Sequence, residues 1–105
     1  MHHAKEELLN VLKETRELMV LPENDFVWSG WDGIAEALEE FDALVADVES
    51  GRRCDLMRLS VLYAPTGSIQ EVSISSGWGR EFCDVAARFD AALAAYRQDV
   101  QIGMR

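Results

Sequence analysis

The chain has 105 residues, enough to close one hydrophobic core and too few for two, and its 49% hydrophobic and 28% charged composition lies well away from that of disordered chains. A net charge of -9 excludes nonspecific binding to nucleic acid or anionic membrane, both of which need cations to neutralise phosphate. The charge is regional: residues 17–51 hold ten Asp or Glu and no Lys or Arg, while the remainder holds nine acids against ten bases.

The predicted organisation is one globular domain over 1–105, with residues 1–4 and 98–105 frayed. Lys5 to Val20 place Leu8, Val11, Leu12, Leu18 and Met19 at three- and four-residue steps, which predicts a first helix. Leu21-Pro22-Glu23-Asn24-Asp25 stops it, and a linker carries Phe26, Val27 and Trp28. A second helix is expected to open near Ser29-Gly30-Trp31-Asp32, with Ser29 or Asp32 as its cap. Ile34, Ala37, Leu38, Phe41, Leu44, Val45 and Val48 share one arc of it, and Glu36, Glu40 and Asp47 share another. Ser50-Gly51 ends it, and Arg52-Arg53 fall where the helix dipole favours cations.

From Leu56 to Ala64 the period reads as two, with Met57, Leu59, Val61 and Tyr63 alternating against Arg58 and Ser60. Ala64-Pro65-Thr66-Gly67 is a four-residue turn, and Ser68 to Ser75 places Gln70, Val72 and Ile74 on one face, so a β-hairpin is predicted. Ser76-Gly77-Trp78-Gly79 then leads into a last helix over Arg80 to Arg97, with Phe82, Val85, Ala86, Phe89, Ala92, Leu93 and Tyr96 as its apolar arc. The expected fold is therefore α+β, in the order ααββα, with helices packed on a hairpin and with Phe41, Val45, Phe82, Phe89 and Leu93 in one core.

No catalytic motif emerges. The two histidines, His2 and His3, sit at the start of the chain, and a zinc site needs three or four convergent ligands, so neither catalysis, a metal nor any other cofactor is expected. Cys54 and Cys83 lack redox or metal spacing and are expected to be free thiols, Cys83 as a small half-buried hydrophobe; with no signal core and no apolar run of about 20 residues, this predicts a cytoplasmic protein. Gly77, Trp78, Gly79 and Arg80 form a candidate anion or ligand site at the mouth of the last helix, although Gly-x-Gly alone is a weak signal and a turn accounts for the glycines. Of Trp28, Trp31 and Trp78, Trp28 is the one expected to stay exposed, because it precedes the helical pattern.

The acidic stripe of Glu36, Glu40 and Asp47, with Trp28, is the candidate partner-binding surface. Like charges one turn apart weaken a helix, so their segregation favours a use, and a protein with a basic surface is the partner it would fit. The alternatives are a small-ligand domain at Gly77 to Arg80 and a self-associating structural protein, a homodimer, because a lone hairpin leaves open edges.

Leu62 to Gly79, through Ala64-Pro65-Thr66-Gly67 and Ser76-Gly77-Trp78-Gly79, followed by Phe82 and Arg88-Phe89-Asp90, resembles a small family of uncharacterised bacterial proteins, as does Trp-Ser-x-Trp at Trp28 to Trp31. The resemblance implies no activity. Small acidic bacterial domains of this type include immunity proteins that inhibit basic toxins.

Overall fold

The computed structural model describes residues 3–51, 55–65 and 67–103. Among them there is no strand. Five helices follow one another: α1 (His3–Met19), α2 (Ile34–Ser50), α3 (Leu56–Tyr63), α4 (Ser68–Ser76) and α5 (Gly79–Gly103). The expected α+β class and ααββα order are thus corrected to an all-helical fold. Helix α5 is the spine. At about 1.5 Å per residue its 25 residues span about 37 Å, which accounts for most of the 44 Å long dimension of the molecule. Helix α1 packs along α5 and against α2, while α4 packs on α5 and α3 on α4.

The hairpin prediction fails for a physical reason that differs between its two halves. Six of the eight residues of α3 are apolar, so periods of 2 and 3.6 both find matches in it. The buried set is Leu59, Leu62 and Tyr63, a helical spacing, and Met57, assigned inward by alternation, is 70% exposed. Asp55 starts the helix as its N-cap, accepting a hydrogen bond from the Arg58 amide at 2.9 Å. In α4 the β-branched residues suggest a strand, yet Ile69, Val72 and Ser73 go inward while Ile74 is 62% exposed. Burial on one helical face overrides that weak propensity. The Ala64 to Gly67 corner is a turn, closed by Gly67 N–H donating to Ala64 O at 2.9 Å, but it joins two helices; Thr66 lies outside the described residues. Gly67 is required there by space, since a Cβ would lie 2.5 Å from Val61 O and 2.9 Å from Ala64 O. Gly77 ends α4 for a different reason: its φ of 89° is left-handed, and the Trp78 amide closes the cap on Ser73 O at 2.9 Å.

One core runs through all five helices, including Phe41, Phe82, Phe89 and Leu93, with Val45 half-buried against it. Tyr63 from α3 lies flat on Phe89 of α5, ring centroids 3.8 Å apart and planes 6° from parallel. Helix α5 does not end at Arg97 but continues to Gly103, as 98–102 contain neither Gly nor Pro to stop it. Arg52, Arg53 and Cys54 lie outside the described residues, so the dipole and thiol expectations for them carry no structural reading.

Candidate functional site

The acidic region is compensated from outside itself. Arg16, just before it, donates to both carboxylate oxygens of Asp42 at 2.8 and 3.0 Å, and Arg58, just after it, grips Glu40 through Nε and, at 2.9 Å, through Nη2. Glu40 also accepts from the indole of buried Trp31 at 3.1 Å. These donors, Arg58 foremost, hold its carboxyl below the usual glutamate range in spite of partial burial. Glu40 is therefore a structural tie between α2, α3 and the loop before α2, which removes it from the stripe predicted as a docking face. Glu36 stays exposed and turns back to accept from the Asp32 amide at 3.2 Å, just before the helix; Asp47 is half-buried. Neither Ser29 nor Asp32 caps α2: the residue in that place is Gly33.

Residues 20–33 form the second feature. Asn24 donates through Nδ2 to the last carbonyls of α1, Leu18 O and Met19 O, both at 2.9 Å, and its Oδ1 accepts from Trp78 Nε1 at 2.8 Å. The Asp25 amide donates to Ser76 Oγ at 2.8 Å, and the Asp25 carboxylate accepts from the Val27 amide at 2.9 Å, an Asx-turn. Ser29 Oγ donates to Phe26 O at 2.7 Å and accepts from the Trp31 amide at 3.0 Å. Phe26 is rooted against the core and Trp31 is buried in it. Between these anchors Val27 and Trp28 project into solvent, 76% and 72% exposed. Sequence reading finds the tryptophan but not the long-range pins, because Asn24 and Ser76 take their roles from partners up to 54 residues away.

At the mouth of α5 the four predicted residues part company. Gly77 closes α4, Trp78 is buried with its indole on Asn24, Gly79 opens α5, and Arg80 is the one side chain of the four that faces solvent. Arg80 lines a groove of about 550 Å³ between α1 and α5, whose floor includes Leu18, Leu21 and Val85. One wall is a fixed ion network: Arg88 donates to Glu14 at 2.9 and 2.6 Å and lies 3.4 Å from Asp84. That bond lowers the Glu14 carboxyl and raises the Arg88 guanidinium. Four carboxylates and two guanidiniums line the groove, a balance that opposes an anion. Cys83 is a free thiol and exposed, rather than half-buried as expected, because it falls one position beyond the buried Phe82. Among the described residues no three of His, Cys, Asp and Glu converge as metal ligands would, and no helix is long and apolar enough to cross a membrane.

No family model, curated protein or solved structure matches the chain.

Proposed function

We propose that this chain is a cytoplasmic protein-binding module that docks a partner with a basic surface through the loop carrying Val27 and Trp28, while the exposed acids of the loop and α2 steer the encounter. One observation carries the reading: two large apolar side chains stand in solvent on a loop pinned at Asn24, Asp25, Ser29 and Trp31. An ordered loop binds with little further loss of conformational freedom, and tryptophan is enriched among the residues that dominate binding energy. The exposed charge carried by the loop and by α2 is of one sign. Glu23, Asp32, Glu36 and Glu39 are exposed, and no Lys or Arg occurs from residue 17 to 51. Such a field favours a cationic partner and repels acidic ones. Inhibition of a basic toxin, in the manner of an immunity protein, is the form of this reading supported by size and acidity. The cytoplasmic setting rests on two cysteines without disulfide spacing.

The test is a photoreactive amino acid placed at position 28 in the native cell, with the same group at exposed Ala94 as control. The expected product is a discrete crosslink to a protein of high pI from position 28 only. Identical crosslinks from both positions would end the reading.

A further inference from the structure

The groove between α1 and α5 holds charges that the fold does not use. Glu14 and Asp84 are engaged by Arg88, whereas Glu17, Glu81 and Arg80 make no hydrogen bond or ion pair with any described residue. Between them lies apolar surface: Leu21 is 45% exposed, Leu18 is half-buried beside it, and Val85 closes the floor. An apolar trough with two uncommitted carboxylates and one uncommitted guanidinium favours a ligand that is greasy along one side and cationic along the other. Long basic side chains can cover the trough with their methylenes while their heads reach the carboxylates.

We infer that the groove receives an amphipathic basic segment of a protein partner, its apolar residues on Leu18, Leu21 and Val85 and its lysines or arginines on Glu17 and Glu81. Charge complementarity selects the occupant. A free polyamine would satisfy the carboxylates but leave the leucines uncovered, and an acidic peptide or a phosphate would meet four carboxylates for two guanidiniums. Leu21, at the start of the 20–33 loop, is part of the groove lining. The inference takes from the loop reading only the sign of the partner's charge.

The experiment titrates the isotope-labelled protein at low salt with a synthetic helix of alternating leucine and lysine faces, and in parallel with oligolysine and spermidine, following backbone amide shifts. Shifts centred on Glu17, Leu18, Leu21, Glu81 and Val85 are expected with the amphipathic peptide. Glu17→Gln with Glu81→Gln should weaken its binding about fivefold or more, in the range set by two exposed ion pairs. Leu21→Ser should weaken it as well, and Arg80→Ala should leave it unchanged or tighten it. All four positions are at the surface, and retained dispersion of the spectrum verifies folding. Spermidine or oligolysine binding as tightly as the peptide would overturn the inference, as would shifts confined to α2 or loss of binding in Arg80→Ala. Repeating the titration on Trp28→Ala separates the two sites: groove shifts that persist there uphold the groove whatever becomes of the loop, and shifts that vanish assign the peptide to the loop and overturn the groove.

Discussion

Thr15 carries a single hydroxyl proton, and Val11 O takes it at 2.8 Å, so in the contact between the Thr15 and Tyr63 hydroxyls the tyrosine is the donor. Burial raises the Tyr63 phenol above its ordinary value and keeps it protonated for that role. The two substitutions at this contact should then differ. Tyr63→Phe leaves Thr15 bonded to Val11 and should cost about 1 kcal/mol, whereas Thr15→Val strands a buried phenol and should cost about 1–3 kcal/mol. Urea melts of the pair decide it, and a larger loss in Tyr63→Phe than in Thr15→Val would reverse the assigned donor. Glu40 makes a second residue-scale case. Because its folded pKa is depressed, its contribution is present above the ordinary glutamate value of about 4.3 and is lost as pH falls through the lower folded value. Glu40→Gln should therefore cost about 1–2 kcal/mol at pH 7, and the gap to the parent should close on acidification below that value. A gap independent of pH would mean that the carboxylate charge is not what Arg58 and Trp31 hold.

At the scale of elements, the two long helical arcs of α1 and α2 and the arc of α5 were legible because they repeat over four turns or more, long enough for one period to prevail. Eight residues in α3 and nine in α4 are too few for that, and in α3 the apolar run fits a strand as well as a helix. Asp55 was the readable sign of a helix start, an acid standing immediately before an apolar run. The two glycines that bound α4 test the helical assignment separately. Gly77→Ala meets open space and should cost only the left-handed penalty, about 1–2 kcal/mol, while Gly67→Ala drives a methyl into the Val61 and Ala64 carbonyls and should cost about 1–3 kcal/mol through displaced backbone. Amide shifts in Gly67→Ala should spread through α3, and those in Gly77→Ala should stay local. A neutral Gly67→Ala would contradict the tight corner between α3 and α4.

Across the whole molecule, the segregation of ten acids from all bases was visible in the sequence, but which of them are available was not, because their partners, Arg16 and Arg58, flank the segment and meet it only in the fold. Reversing Glu40 would set a lysine against Arg58 and unfold part of what it was meant to probe. The informative set is Asp32, Glu36 and Glu39, which are exposed; changing all three to lysine should cost about 1 kcal/mol, through the lost Glu36 bond to the Asp32 amide and the cations placed at the start of α2, and should leave the fold intact. Trp28→Ala should be nearly neutral for folding, in contrast to a loss of about 3–5 kcal/mol for Phe89→Ala at the buried stack on Tyr63. The two surface variants should then divide the kinetics of binding between them. Exposed charges act through the long-range field, so the triple lysine variant should slow association at low salt and lose the salt dependence of that rate. A buried aromatic anchor acts after contact, so Trp28→Ala should chiefly hasten dissociation, by about 30-fold for a loss of 2 kcal/mol. Surface plasmon resonance against the crosslinked partner, at low salt and at roughly 0.5 M where the Debye length is about 4 Å, resolves both rates. If Trp28→Ala leaves dissociation unchanged, the indole is not at the interface, and the pinned loop is there to close the core with Trp31 and nothing more.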